Sequence, residues 1–335
     1  MTLAVGVIGT GAIGNDHIRR MTEVVPGARV VAVSDIDPAS ARATADRLGT
    51  ARVHASGQEV IDAPDVAAVV VCSWGPTHEE YVLAAIAAGK PCFCEKPLAT
   101  SEAACDRIID AETAFGRRLV QVGFMRRFDR AYLAMRATIA KGDIGAPLLF
   151  HSVHRNASVP PHIGQESLIN DTMVHDIDIA RWLLDDEIAE IRVFPARVNR
   201  NSGPLREPLL AVMRMQGGAL VDVEVSVNVR YGYDIRGEVS AETGTVTLAE
   251  GNPTVIRRQG FIGAPIDDDW KARFLDAYDA EFRAWVPAAA AGTAAGPSAW
   301  DGYAAALVTD AGIRALDTGE AQPIRMRDRP ALYAG

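Results

Sequence analysis

Three side chains able to handle a proton lie close together in the sequence: Asp171, His175 and Asp178, spaced i, i+4 and i+7. On an α-helix that spacing places all three on one face. An imidazole takes up and gives back protons near neutral pH, and a carboxylate one turn away orients it and stabilises its cation. The group is suited to drawing the proton from an alcohol as a hydrogen leaves the adjoining carbon. Ile177, Ala180 and Leu184 form an apolar stripe beside it and are expected to be buried. Two other readings of the polar face stay open. It could be solvated helix surface, or it could bind a metal, since Asp and His at i, i+4 can ligate zinc or iron and His151, His154 and His162 stand nearby.

An acceptor for the departing hydrogen is indicated near the start of the chain. Gly9-Thr10-Gly11-Ala12-Ile13-Gly14 fits G-x-G-x-x-G, and it ends an apolar run and opens a helical one. In that setting Gly9 makes the tight turn, Gly11 lets backbone approach a pyrophosphate, and Gly14 lets the helix pack closely on the sheet. The helix start at Ala12 and Ile13 offers free N–H groups to phosphate. Asp35 closes the second strand, where a carboxylate accepts from the adenine ribose hydroxyls and repels a 2′-phosphate. No arginine adjoins it, so NAD is expected rather than NADP. Taken alone, Asp35 could also be a helix-capping carboxylate, a role open to Asp37 before Pro38 as well. With a nucleotide as acceptor no Lewis acid is required, and no metal is expected.

Ligands of such sheets bind beyond the carboxyl ends of the strands. Here those ends are Ser73-Trp74-Gly75-Pro76-Thr77-His78 and Glu95-Lys96-Pro97, which places Ser73, His78 and Glu95 at the cofactor and Lys96 beside the reacting carbon. Lys96, between a carboxylate and a proline that favours extended backbone, becomes a catalytic candidate; away from a strand end it would read as a surface lysine.

The elements that must carry these groups follow from periodicity. Strands are predicted at Leu3–Ile8, Arg29–Ser34, Val66–Cys72, Pro91–Cys94 and Arg118–Val122, and helices at Asn15–Val24, Pro38–Leu48, Thr77–Ala88 and Ser101–Phe115. Apolar strands alternating with helices imply an α/β domain, a Rossmann doubly wound parallel sheet, over residues 1–122. The pattern changes over 123–335. Helices are predicted at Arg130–Ala140, Asp171–Leu184, Trp270–Ala291 and Ala299–Leu316. Strands are predicted at Pro147–Arg155 and through Ala189–Arg258, with period-2 alternation in Leu220–Val229. This second domain reads as α+β with a large, mostly antiparallel open sheet.

Length and composition agree. At 335 residues and 48% hydrophobic the chain can bury two cores. A formal charge of -9 and the lack of basic runs argue against nucleic acid as a partner. No stretch approaches the roughly 18 apolar residues of a membrane helix, and the N-terminus lacks the basic start of a signal peptide. Cys72, Cys92, Cys94 and Cys105 show no paired spacing and read as reduced core thiols, which points to the cytoplasm.

Together, Gly9–Gly14, Ser34-Asp35, Glu95-Lys96-Pro97 and Asp171-x-x-x-His175-Asp-Ile-Asp178 resemble the glucose-fructose oxidoreductase/inositol dehydrogenase/rhizopine catabolism family. Val122-Gly-Phe-Met-Arg-Arg-Phe-Asp129, His154-Arg-Asn156, Asp171-Thr-Met-Val-His175 and Gly296-Pro-Ser-Ala-Trp-Asp-Gly-Tyr303 bring the likeness closest to members that oxidise an inositol ring. These segments spread over nearly the whole chain. The resemblance implies a catalytic group of Lys96, Asp171 and His175, and polyol contacts from these three with Arg126, His154, Asn156 and Asp178, to which Tyr233 is added. Without it, Arg126 and Arg127 would read as surface charges and His154 as an exposed strand residue. It implies NAD-dependent oxidation of myo-inositol to scyllo-inosose, with another inositol isomer or an aldose such as glucose as the alternative substrate. An NAD-dependent glycosidase and a non-catalytic NAD or sugar sensor are the readings of other classes. It also implies a homotetramer associating through the open face of the second sheet, which the alternation in Leu220–Val229 leaves available.

Overall fold

The computed structural model describes residues 2–161, 163–249 and 254–334. The first of two compact units comprises Met1–Met125, Tyr278–Ala306 and Arg327–Gly335. Its strands β1 (Leu3–Ile8), β2 (Ala28–Ser34), β3 (Arg52–Val53), β4 (Ala68–Val71), β5 (Cys92–Cys94) and β6 (Val120–Val122) form a parallel sheet in the order β3-β2-β1-β4-β5-β6. The order reverses between β1 and β4, and the crevice at such a reversal is where a doubly wound sheet receives its ligand. Valine dominates the central strands because helices cover both faces; Val69, Val70 and Val71 are wholly buried.

The helices of this unit have local causes. α1 (Ala12–Arg19) starts at Gly11 with no side-chain cap. α2 (Pro38–Leu48) is capped by Asp37, whose carboxylate accepts from the Ala39 N–H, and ends at Gly49 in the left-handed region (φ 66°). α3 (Gly57–Asp62) and α5 (Glu102–Phe115) are capped by Ser56 and Ser101, and α4 (His78–Ala87) follows a 3₁₀ turn at Gly75–Thr77. The predicted helix Asn15–Val24 begins earlier, at Ala12, and its last five residues, Arg20–Val24, widen into a π-helical turn. β3 and α3 were not expected. β3 is two exposed residues and α3 only six, too short for a periodic signal.

The second unit comprises Arg126–Ala277 and Leu307–Met326. After a 3₁₀ turn at Met125–Phe128, α6 (Arg130–Lys141) is capped by Asp129. Then come β7 (Pro147–Arg155), a π-helical segment Leu168–Met173 and α7 (Val174–Leu184). β8 (Ile188–Pro195), β9 (Leu209–Met215), β10 (Leu220–Ser226), β11 (Asp234–Ala241) and β12 (Thr245–Thr247) follow. β13 (Ile256–Arg258) and β14 (Phe261–Gly263) make a separate hairpin. α8 (Trp270–Ala290) and α9 (Ala299–Thr318) are each shared between the units, Tyr278–Ala306 belonging to the first, and β15 (Gln322–Pro323) and a 3₁₀ turn at Ala331–Tyr333 follow. Among the described residues the large sheet runs β12-β11-β7-β10-β9-β8-β15, antiparallel except for the β7–β10 pair.

Alternation gives that sheet two faces. Phe150, Ser152 and His154 of β7 point inward, and α7 packs on that strand. Phe194, Leu210, Val212 and Leu220 are exposed on the other side.

The first unit's core draws on distant chain. Phe282, Trp285, Val286 and Ala289 of α8 pack with Val5, Val7, Ile18 and Phe93, and the Tyr333 hydroxyl donates to the buried Glu112 Oε2 over 2.5 Å. A linear reading divides the chain once, at 122/123, whereas this unit also takes in two later segments.

Candidate active site

The glycine turn is built for close approach. Gly9 has φ +97°, and a Cβ there would lie 2.5 Å from the Cys72 carbonyl oxygen. A Cβ at Gly14 would lie 2.1 Å from the Gly9 carbonyl oxygen. At Gly11 a Cβ would meet no atom within 4 Å. The first and third glycines thus serve the fold, while the second opens onto space beside the uncapped start of α1, as a phosphate cradle requires. A cavity of about 450 Å³ continues from there, lined by Gly9, Gly11, Asp35, Ile36, Ser73 and Trp74 among others. Asp35 Oδ2 accepts from Thr10 N–H (2.5 Å) and Thr10 Oγ1 (2.9 Å), and Oδ1 from the Asp37 N–H (2.9 Å). Asp37, not Asp35, caps α2, so the Asp35 carboxylate stands in the cavity wall fixed by the turn's own threonine. These groups fit NAD: a phosphate cradle, then a carboxylate for the ribose hydroxyls. Ile36 and Trp74 are both exposed at the cavity; Trp74 lies in the strand end expected at the cofactor, whereas Ile36 was missed, its one signal being an aliphatic residue inside the polar turn Asp35-Ile36-Asp37-Pro38.

Lys96 is half-buried at the end of β5, and its peptide bond to Pro97 is cis. Glu95 turns inward: Oε1 lies 2.7 Å from His17 Nε2, and Oε2 accepts the Lys96 N–H at 3.2 Å. His78 is buried, with Nδ1 2.7 Å from the Pro97 carbonyl oxygen and Nε2 2.9 Å from that of Ser73. The Ser73 hydroxyl pairs with Thr77. The loops after β4 and β5 are therefore tied together by an imidazole.

In the second unit, inward residues of β7 meet the 3₁₀ turn and α7. Arg126 Nη1 donates to Asp176 Oδ1 (2.7 Å), Ser152 Oγ donates to the same oxygen (2.8 Å), and His154 Nδ1 lies 2.8 Å from Asp176 Oδ2. His154 Nδ1 also lies 2.9 Å from Arg126 Nη2, and its Nε2 lies 3.3 Å from the Tyr233 hydroxyl oxygen. Burial alone would raise the Asp176 carboxyl, but Arg126, His154 and Ser152 outweigh it and hold the group at about 2. Burial pushes the Tyr233 phenol up to about 12, so it remains a donor. Asp178 is buried and takes a two-pronged bond from Arg127 (2.9 and 2.5 Å). The His154 and His175 rings are 6.4 Å apart.

The expected helix face is only partly regular. Asp171 is exposed in the π-helical segment, and α7 proper starts at Val174. Asp171 thus stands in the wider π turn and His175 in the first turn of α7. Ile177 and Ala180 are buried, whereas Leu184 is half-buried. His175, Arg126, His154, Asp178 and Tyr233 all lie within one unit and are buried. Asn156 follows β7 and pairs its backbone with Ser226 and Val229. Asp176, the hub of this cluster, was missed, because it lies off the polar stripe and its partners come from a strand and a turn far away in sequence. His151 is exposed on the outer face, bridged to Asp222, and His162 lies outside the described residues. Among the described residues no group of three His, Cys, Asp or Glu side chains could hold a metal ion. The four cysteines are buried and free, and burial pushes the thiols of Cys72, Cys92 and Cys94 up.

Comparison with known proteins accords with both halves of this description. Residues 3–124 match the oxidoreductase family with an NAD-binding Rossmann fold, and residues 132–247 match the GFO/IDH/MocA C-terminal domain. Inositol 2-dehydrogenase 3 of Saccharopolyspora erythraea is 52% identical over 100% of this chain and 99% of its own. Inositol 2-dehydrogenase of Acidothermus cellulolyticus is 52% identical over 99% of this chain and 98% of its own. The crystal structure of myo-inositol dehydrogenase from Lactobacillus casei, in complex with NAD(H) and myo-inositol, superposes with a TM-score of 0.97. It is 38% identical and covers 99% of this chain and 100% of that one. The glycine turn, the carboxylate at the second strand and the domain that follows therefore have one explanation: the chain belongs to the GFO/IDH/MocA oxidoreductase family and is an NAD-dependent oxidoreductase.

Proposed function

We propose that this chain is an inositol 2-dehydrogenase that oxidises myo-inositol to scyllo-inosose with NAD. The observation that carries the reading is the identity of about half, end to end, with proteins named for that activity. NAD, when bound, supplies the nicotinamide carbon that accepts hydride from the substrate. Lys96 hydrogen-bonds the reacting hydroxyl and favours its alkoxide character. The imidazole of His175 takes the hydroxyl proton, and Asp171 stabilises the imidazolium so formed. The C–H and O–H bonds break as the C=O bond forms, so the ring leaves as a ketone. Arg126, His154, Asn156, Asp178 and Tyr233 hold the remaining hydroxyls. The buried Arg126–Asp176–His154–Tyr233 chain supports this role, because it holds these polar groups in place as a flexible surface could not.

The test is NADH formation from myo-inositol beside scyllo-inositol and glucose, each over a range of concentrations. Preference for myo-inositol in kcat/KM is expected. Preference for glucose would make the chain an aldose dehydrogenase, and binding of NAD with no turnover of any of the three would make it a sensor.

The enzyme works as a homotetramer in the cytoplasm. Exposed Phe194, Leu210, Val212 and Leu220 on the open sheet face support association, and the buried free thiols suit a reducing compartment. Light scattering on the purified protein checks the assembly.

A further inference from the structure

We infer that His17 and His78 are positioning residues for Lys96, bracing from both sides the turn that carries it; this rests on the reading of Lys96 as catalytic. On one side, His17 of α1 reaches Glu95 with Nε2 2.7 Å from Oε1, and the other oxygen of that carboxylate accepts the Lys96 N–H. On the other side, His78 Nδ1 lies 2.7 Å from the Pro97 carbonyl oxygen. Lys96 is thus flanked by two residues, each held by an imidazole that is at most 2% exposed.

The first brace is directional. Arg20 Nη1 lies 2.7 Å from His17 Nδ1, and Arg20 is itself held by Asp16 and Asp279, each at 2.8 Å. A guanidinium can only donate, so His17 Nδ1 accepts and Nε2 carries the proton that goes to Glu95. Space is reserved for this arrangement at Gly123, where a Cβ would come within 3.1 Å of the Glu95 carboxylate. Such a buried string of charges is not the cheapest way to fill a core, since apolar side chains of like volume serve stability as well or better. What it does supply is a fixed backbone at Lys96. A lysine ammonium sits on a long flexible stem, and its aim starts from that backbone. Misplacing a catalytic group by about 1 Å can cost about a hundredfold in rate.

The test compares His17→Asn, which is too short to reach Glu95, with His17→Gln, whose amide nitrogen falls near the lost Nε2. Steady-state kinetics with myo-inositol, NAD affinity by fluorescence titration and the pH profile of kcat are read for each. For His17→Asn a fall in kcat of about tenfold to a hundredfold is expected, with NAD affinity within about twofold and a displaced pH profile. His17→Gln recovers kcat to within about threefold of wild type. A His17→Asn enzyme with wild-type kcat and profile overturns the inference. So does equal loss of kcat and NAD affinity in both variants, which marks a purely structural role. Should His17→Asn fail to fold, Glu95→Gln keeps the volume and is judged by the same readouts, unchanged kcat again overturning it. Lys96→Met is run in parallel. If that variant turns over at the wild-type rate, the assignment of Lys96 itself has failed; if only it is inactive, the assignment stands and the bracing falls.

Discussion

Nη1 of Arg126 lies 2.7 Å from Oδ1 of Asp176, and neither side chain is more than 1% exposed. Removing the carboxylate charge strands a guanidinium away from water. Asp176→Asn should therefore cost about 3–5 kcal/mol of folding stability, the range for breaking a buried pair on one side. Urea unfolding followed by fluorescence measures it, and a change below about 1 kcal/mol would show the pair to be unimportant.

The same carboxylate sets an acid limit. Its folded value of about 2 lies below the ordinary 3.8, so its contribution is fully present above the ordinary value and is lost as pH falls through 2. About 2 kcal/mol is at stake, taking about 1.4 kcal/mol per pKa unit. Urea midpoints measured from pH 4 down to pH 2 should fall more steeply for wild type than for Asp176→Asn. Parallel slopes would remove Asp176 from the account of acid unfolding.

The three glycines of the turn should separate under substitution by alanine. Gly9→Ala and Gly14→Ala place a methyl 2.5 and 2.1 Å from backbone oxygens and should lower the melting temperature or prevent folding. Gly11→Ala meets no protein atom within 4 Å, so it should melt as wild type does while binding NAD at least about tenfold more weakly. Calorimetry with and without NAD distinguishes the two effects. Unweakened NAD binding by Gly11→Ala would move the pyrophosphate elsewhere.

His175→Ala removes the proposed base. A loss of about 10²–10⁴ in kcat is expected, with NAD affinity retained because the cradle is built from the first unit's residues. Turnover at the wild-type rate would return the role to another group.

The nucleotide half of the site was legible because its signals are local. Gly9, Gly11, Gly14 and Asp35 lie on one strand–turn–helix–strand stretch, where each residue's job follows from its neighbours in sequence. The second half was legible only in part. His154 and Tyr233 were named through resemblance, yet what ties them together, Asp176, had no local signature: its three partners come from Arg126, Ser152 and His154. The helix type at Asp171 was not legible for a related reason. Period 3.6 was assumed where the chain adopts a π-helical segment, and nothing in the run Leu168–Met173 announces that widening. His17 passed unnoticed because, read along α1, it is one polar residue on a helix, and only the tertiary fold turns it toward Glu95.

The α8 residues in the first core bear on how the protein is made. Ribosomes deliver the N-terminus first, and domains generally fold as they emerge. Here the six-stranded sheet waits for Phe282, Trp285 and Val286, and the Glu112 pocket waits for Tyr333. Until those residues are made, the nascent nucleotide-binding half lacks part of its core and leaves apolar surface uncovered.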